Sequence, residues 1–162
     1  MKLTLTKLTI KSQTFWLGST TKGLAFVGSA NGSADEWQNF LPTATATLDP
    51  DANQLASQAL TAYFAGQETD FSLPLDLSHG TAFQQQVWQG LRQISYGETR
   101  SYTTLAQQLK RPTATRAIAS AVGRNPILIF VPCHRILRKD GQLGGYRGGL
   151  PMKQQLLRLE QA

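Results

Sequence analysis

Residues 102–135 read YTTLAQQLKRPTATRAIASAVGRNPILIFVPCHR, and the way this stretch divides decides the fold of the half of the chain that carries it. The pattern predicts a short helix over 102–109 and a turn at Lys110-Arg111-Pro112. A second helix follows, capped by Thr113, running to about Val122 and ended by Gly123. Two short helices joined by so tight a turn are a helix-turn-helix candidate. The second helix is unusual for a reader of base edges. Ala114, Thr115, Ala117, Ala119, Ser120 and Ala121 are all small, and Arg116 is its only charged residue. A major-groove recognition helix presents several long polar side chains. A surface of small residues instead allows close backbone approach, with one arginine free to enter a duplex. A helix packed on its neighbours through alanine, with Arg116 in water, would have the same sequence. Residues 127–131 then form a short β-branched and aromatic run, followed by Pro132-Cys133-His134-Arg135.

Working outward, Gly141, Gly144, Gly145, Gly148 and Gly149 mark a flexible loop, and Pro151 sits at the favoured first position of a final helix. Upstream, Phe83, Val87, Leu91 and Ile94 recur at helical spacing until Tyr96-Gly97-Glu98-Thr99 breaks the stripe. Residues 67–80 lack a period, contain Pro74 and Gly80, and read as a connecting segment. The first part opens with strand-like runs at 3–10, 15–18 and 23–28, as in a small antiparallel sheet. Ser33-Ala34-Asp35-Glu36 is a capping-box pattern ahead of Trp37, Phe40 and Leu41. Another helix is expected from near Asp51, with Leu55, Ala59, Leu60, Tyr63 and Phe64 on one side and Gly66 as its stop. The expected class is α+β. An N-terminal lobe (1–66) holds a small antiparallel sheet with helices, residues 67–80 connect, and a mostly helical lobe (81–162) holds the helix-turn-helix and the cysteine.

The chain has 162 residues, enough for one ordinary domain or two small lobes. No apolar run approaches the roughly 20 residues of a membrane helix. The opening MKLTLTKLTI alternates too regularly for a secretory leader. A soluble, cytoplasmic protein is therefore expected. One cysteine excludes an internal disulfide, a CxxC pair and any zinc site built from several thiolates. Charge is divided unevenly. Residues 1–80 hold four basic and seven acidic side chains, while residues 81–162 hold twelve basic and three acidic ones, a net +9. That excess suits a polyanion partner, although a basic surface also serves solubility.

Cys133 is the one candidate nucleophile. A lone cysteine is most often a small buried hydrophobe, but flanking His134 and Arg135 argue for a thiolate environment. Backbone N–H groups of a helical turn after Pro132 would act the same way. Sequence adjacency does not guarantee that His134 touches Cys133, since neighbours in a strand face opposite ways. The basic half offers three acids that could orient the imidazole, Glu98, Asp140 and Glu160. Glu160 lies near the end of the last helix, where the dipole disfavours a carboxylate, so a partner would help explain it.

The segment Asn125-Pro126-Ile127-Leu128-Ile129-Phe130-Val131-Pro132-Cys133-His134-Arg135-Ile136 resembles the active-site segment of the O6-alkylguanine-DNA alkyltransferases. The likeness continues through Phe83, Val87-Trp88, Leu91, Ile94, Tyr96-Gly97-Glu98-Thr99, Ser101-Tyr102 and Arg116-Ala117. It also covers Gly145-Tyr146-Arg147-Gly148-Gly149-Leu150, Lys153, Leu156-Leu157 and Glu160. About half the chain is involved. The first 80 residues match in character and length, which implies a ribonuclease H-like lobe.

The resemblance implies a direct repair reaction in which an alkyl group passes irreversibly from guanine O6, and by extension thymine O4, to Cys133. His134 would be the base, acting through a bridging water, and Glu160 the carboxylate that orients it. Asn125 would be a hinge. Tyr102 would protonate guanine N3 and crowd the adjacent phosphate. Tyr146 would wall the alkyl pocket, the Arg147 amide would bind O6, and the backbone at Cys133 and Ile136 would read the exocyclic amine. Gly148 lies in the same substrate-binding loop. Arg116 would fill the gap left by a flipped nucleotide, and Ala114, Thr115, Ala117 and Ala119 would face the minor groove. The implied partner is double-stranded DNA containing O6-alkylguanine, bound by a monomer with little sequence preference and no cofactor. Ser95 stands where the family has proline, Thr115 where it commonly has alanine, and the zinc of some members cannot be held here by cysteines. Three other readings share parts of the pattern: a lesion-binding relative that does not repair, a helix-turn-helix regulator and a cysteine hydrolase.

Overall fold

The computed structural model describes residues 1–162, which divide into two compact units, Met1–His79 and Gly80–Ala162. In the first unit, β1 (Lys2–Ile10), β2 (Gln13–Thr20), β3 (Gly23–Val27) and β4 (Thr45–Leu48) form a sheet of order β3-β2-β1-β4. The sheet is mixed, because β4 pairs parallel with β1, Lys2 opposite Thr45 and Leu5 opposite Leu48. The expectation of a purely antiparallel sheet is corrected at that edge. β4 has no alternating apolar pattern and leaves Leu48 69% exposed, so backbone pairing rather than side-chain burial makes it a strand.

Alternation along β1 supplies two faces. Leu3 and Leu5 pack with Ala25, Phe26, Trp37, Leu41 and Ala44. Thr6 lies on the other face, where its hydroxyl donates to Asp49 O and Ala52 O. There α1 (Gln54–Phe64) brings the Phe64 ring within 5.3 Å of Phe15. The N-cap of α1 is Asn53 at φ 60, whose amide donates to Thr4 O and Thr6 Oγ1, so the helix begins later than the expected Asp51. Its buried side is Ala56, Leu60 and Tyr63, while Leu55 is 70% exposed, a correction to the expected face. Gly66, at φ 74, ends the helix as expected: its N–H reaches Tyr63 O and the Gln67 N–H reaches Ala62 O.

The capping box at Ser33 does not form. Glu36 instead accepts from the Ser29 N–H and hydroxyl, and the local helix is a four-residue 3-10 turn, Glu36–Asn39. Residues 74–76 run along β3, with Leu24 N–H donating to Pro74 O and Asp76 N–H to Leu24 O. Gly23 is needed there, since a Cβ would stand 2.5 Å from Pro74 O. Asp76, 4% exposed, accepts from Thr20 and Ser78.

The second unit contains α2 (Ala82–Leu91), a two-residue strand β5 (Arg100–Ser101), α3 (Tyr102–Gln108), α4 (Thr115–Gly123), a strand β6 (Ile136–Leu137) parallel to β5, and α5 (Leu150–Gln161). α2 ends at Leu91, so Ile94 lies on the following turn but remains 1% exposed. Thr81 and Gln84 form a reciprocal capping box at its start. The α3–α4 turn is closed by Lys110 at φ 58, with Lys110 N–H on Gln107 O and Arg111 N–H on Ala106 O. Thr113 is not the cap of α4. The cap position is Ala114 and no side chain bonds the helix start. Leu105, Ile118, Ala121 and Val122 on these two helices and Val87, Trp88 and Leu91 on α2 are all buried. Each fully buried aliphatic side chain there is worth roughly 1.5–3 kcal/mol. The Trp88 indole N–H donates to Ala121 O at 2.9 Å. Pro151 is the second rather than first residue of α5, after Gly149 at φ 93.

Candidate active site

Residues 125–133 are not the extended run that their β-branched composition suggests. Asn125, 1% exposed, ties both ends of the segment together. Its Oδ1 accepts from Ile127 N–H at 2.9 Å, and its Nδ2 donates to Val131 O at 2.9 Å and to Cys133 Sγ at 3.2 Å. Between these ties, Phe130 N–H bonds Leu128 O at 2.8 Å around Ile129, which sits at φ 72. That is a γ-turn of the rare positive-φ hand, and a β-branched residue in it costs on the order of 1–3 kcal/mol. A second γ-turn, of the common hand, is centred on Pro132 (φ −81, ψ 62) and closed by Cys133 N–H on Val131 O at 2.8 Å. Proline is preset for this φ. The chain then makes a 3-10 turn, Cys133–Arg135, before entering β6.

Cys133 is 4% exposed, and burial pushes its thiol above the ordinary value. The flanking residues therefore do not yield a resting thiolate, contrary to the sequence expectation. Three side chains favour the anion without overcoming burial, the Asn125 amide and the charges of Arg147 and Lys153, and the Cys133 backbone N–H adds to them. His134 is fully buried. Burial holds its imidazole below the usual value even though Glu160 pulls the other way, so the ring is neutral at pH 7. Its Nε2 lies 2.6 Å from Glu160 Oε2. A neutral imidazole facing a carboxylate donates through that nitrogen, which leaves the lone pair on Nδ1. Nδ1 is buried with no hydrogen-bond partner. His134 and Cys133 thus share no hydrogen bond, and the basic nitrogen is the one remote from Glu160.

Glu160, near the end of α5, is 5% exposed. Its unfavourable place on the helix dipole is offset by four donors. These are His134, Arg135 Nε to Oε1 at 2.8 Å, Arg135 Nη2 to Oε2 at 3.0 Å, and Gly97 N–H to Oε1 at 3.3 Å. Arg135 also donates through Nη1 to Ile94 O at 2.6 Å. Lys153 is fully buried, with Nζ bonded to Ile136 O at 2.6 Å, to Gly145 O at 3.2 Å and to Leu143 O. Burial brings its ammonium down to about 8. It holds the glycine loop against β6 by its carbonyls. The sequence suggests for Arg135 only a charge beside the thiol, and for Lys153 only a place in the family likeness; their hydrogen-bond partners come from the tertiary structure.

The remaining expected residues fall in three places. Around the thiol, Tyr102 opens α3 and is half-buried; burial and the neighbouring Cys133 both raise its phenol. The Tyr146 hydroxyl is buried without a partner, and burial raises it far. Arg147 Nε donates to Asn125 O at 3.1 Å, and Ile136 is fully buried with its carbonyl on Lys153. Gly148 admits no side chain cheaply, since a Cβ would stand 2.5 Å from Met152 Sδ and 2.8 Å from the Tyr146 ring. On α4, Arg116 and Ala117 are exposed, while Ala114, Thr115 and Ala119 are half-buried. No three His, Cys, Asp or Glu side chains are placed to hold a metal ion.

A helix-turn-helix running directly into a turn that carries a buried thiol and an oriented base defines a class, nucleic-acid-binding proteins that do chemistry through a side chain of their own. The chain belongs to the 6-O-methylguanine DNA methyltransferase family. The family's DNA-binding domain matches residues 82–162, and its ribonuclease-like domain matches residues 6–77. The inducible methylated-DNA–protein-cysteine methyltransferase of Bacillus subtilis is 42% identical over 157 residues, covering 94% of this chain and 87% of the relative. The Mycobacterium bovis methylated-DNA–protein-cysteine methyltransferase is 50% identical over 126 residues, 77% of this chain and 76% of its own. Among solved structures, Mycobacterium tuberculosis OGT in complex with DNA superposes with a TM-score of 0.84 at 38% identity, over 99% of this chain and 93% of that one.

Proposed function

We propose that this protein repairs alkylated DNA by taking the alkyl group from O6 of guanine onto Cys133, once per molecule. The observation that carries the reading is the buried His134, whose Nε2 is committed to Glu160 and whose Nδ1 keeps its lone pair within the same turn as the thiol. A neutral thiol is a poor nucleophile, and the useful arrangement removes its proton only when substrate is present. The Sγ proton passes through a bridging water to His134 Nδ1. The S–C bond forms as the C–O6 bond breaks, and Tyr102 supplies a proton to guanine N3 as O6 becomes a carbonyl. The imidazolium then returns its proton through solvent to the Tyr102 phenolate, so on balance the thiol proton ends on the guanine and no cofactor is consumed. Asn125, Arg147 and Lys153 stabilise the sulfur anion along the way. The product is a thioether, which thiol exchange does not reverse, and the chain has no second cysteine.

Access requires the base to leave the stack, at a cost of a few kcal/mol. Exposed Arg116 and the small residues Ala114, Thr115, Ala117 and Ala119 on α4 fit a minor-groove approach with the arginine filling the vacated place. Tyr146, the Arg147 amide, Gly148 and the backbone at Ile136 would enclose the flipped base. The protein would act as a monomer in the cytoplasm. A relative that binds the lesion without repairing it is favoured only by the buried, protonated thiol, and such a binder has no need of three groups stabilising sulfur as an anion. Intact mass after mixing with a methylated oligonucleotide separates the two: one added methyl per wild-type chain and none on Cys133→Ala supports repair. Unchanged mass with duplex bound supports the binder.

A further inference from the structure

We propose that Arg135, which touches neither the thiol nor the substrate place, is a positioning residue with two opposed effects on His134: it locks Glu160 against the imidazole, and its charge competes for the same carboxylate. The inference rests on the base role given to His134 above. Glu160 Oε2 is shared, accepting from His134 Nε2 at 2.6 Å and from Arg135 Nη2 at 3.0 Å, while Oε1 takes Arg135 Nε at 2.8 Å. This is a two-point grip on a carboxylate, which fixes its plane as well as its place. The guanidinium is itself fixed, donating to Ile94 O at 2.6 Å and lying 5.8 Å from the centre of the Tyr96 ring. Tyr96 in turn donates to Leu159 O, and Gln161 donates to Gly97 O. The turn after α2 thereby holds the end of α5, and Arg135 is the charged member of that clasp.

The electrostatic effect follows from the count of charges around the ring. From α5, His134 faces Glu160 and Lys153; from its own turn, Arg135 and the neutral Cys133. The glycine loop contributes Tyr146 and Arg147, and α3 contributes Tyr102, all of which couple to the Cys133 thiol. Glu160 is thus the sole anion among several cations. A buried histidine paired with an uncompensated carboxylate is drawn towards the imidazolium. Here the carboxylate is already neutralised by a bidentate arginine, and a second cation would have to share it. Burial and the Arg135 charge both keep His134 neutral, against the pull of Glu160. The base therefore keeps its lone pair below pH 7, where a plain His–Glu pair would have surrendered it.

The test is the single-turnover rate of alkyl transfer against pH for wild type, Arg135→Gln and Arg135→Lys, paired with nitrogen NMR of the His134 ring. Arg135→Gln removes the charge and the grip together, so it should lower the rate at every pH and also move the acid limb of the profile up by about one pH unit, a further loss of about tenfold on that limb. Arg135→Lys keeps the charge but not the two-point grip, so it should leave the limb in place and lower the rate at every pH. A part that is only structural would lower all rates together without moving the limb, and an unmoved limb in folded Arg135→Gln overturns the proposal. Should Arg135→Gln not fold, the wild-type ring decides. A neutral ring protonated on Nε2 at pH 6 supports the inference, and an imidazolium at pH 7 overturns it. No transfer by wild type at any pH would sink the functional reading instead, and the ring titration would still decide the state that Arg135 imposes.

Discussion

Replacing Asn125 by alanine removes one buried side chain that serves three partners, and the structure allows the consequence to be sized. The Ile127 N–H is left without its acceptor, Val131 O keeps the Cys133 N–H but loses the amide, and Cys133 Sγ loses its donor. The unpaired Ile127 N–H costs about 1–3 kcal/mol, and the bonds lost at Val131 O and Sγ about 0.5–1.5 kcal/mol each. Against this, the segment is freed to relax the positive φ of Ile129, which returns part of a strain on the order of 1–3 kcal/mol. The balance is a destabilisation of about 2–4 kcal/mol, or a fall in Tm of roughly 4–16 °C for a chain of this size. The thiol suffers twice, because its pKa rises further without the amide and its direction is no longer set. Scanning calorimetry gives the first quantity, and the pH dependence of iodoacetamide labelling gives the second. Asn125→Asp keeps the acceptor for Ile127 and turns a repelling carboxylate towards Val131 O and Sγ, so it should be worse than alanine for the thiol. A Tm within about 2 °C of wild type, with labelling unchanged, would refute the clamp.

Arg116→Ala should slow repair of duplex DNA well beyond its effect on free O6-benzylguanine, because only the duplex must be opened; equal losses on both substrates in a single-turnover assay would contradict the role given to this side chain. Stability should fall in two acid steps. His134 is held below its ordinary 6.5, so the unfolded chain binds the extra proton first and stability drops as pH falls below that value. Asp76 follows below 3.8, since the hydrogen bonds from Ser78 and Thr20 outweigh its burial and lower its pKa. Urea midpoints across pH 3–8 check the steps, and Asp76→Asn should abolish the lower one. Gly80→Ala should cost about 1–3 kcal/mol by overpacking, as its Cβ would lie 2.3 Å from a Trp88 ring pinned to Ala121 O; a thermal melt matching wild type would show that the indole can move.

The central electrostatic fact of the site is that its resting form is neutral where the chemistry happens. A buried thiol and a buried imidazole, both uncharged, avoid the cost of isolated ions in a dry interior. The charges that surround them are paired or fully bonded: Glu160 with Arg135, and Lys153 with three carbonyls. The protein can therefore keep the nucleophile inert until an electrophilic carbon is delivered.

Periodicity made the helices of the second unit legible, since the stripe ending at Ile94, the pair at 102–109 and 113–122 and the final helix all required one buried side. Even so, α4 starts at Thr115 without a side-chain cap, because packing of Ile118, Ala121 and Val122 sets its position. β4 escaped notice because its exposed residues carry no pattern. The capping motif at Ser33 misled because Glu36 found donors in Ser29 instead. Residues 127–131 misled more deeply. Their β-branched composition speaks for a strand, yet the Asn125 amide, acting over eight residues, holds them in a γ-turn at Ile129 that leads into another at Pro132.

Cys133 and His134 could be singled out from residue types alone, because this half of the chain has one nucleophilic thiol and one imidazole, whereas Glu160 was one of three acids until the family resemblance pointed to it. What the amino-acid order determined was the inventory and its local geometry: which helices form, where they stop, and that thiol and imidazole share a turn. The tertiary structure alone decided the protonation states, the nitrogen that carries the lone pair, and the parts of Arg135 and Lys153. Those properties depend on burial and on contacts between residues far apart in sequence, such as Arg135 with Ile94, 41 positions away, and Glu160 with Gly97, 63 positions away, and the electrostatic energy of a group is set by what surrounds it in space rather than by its neighbours along the chain.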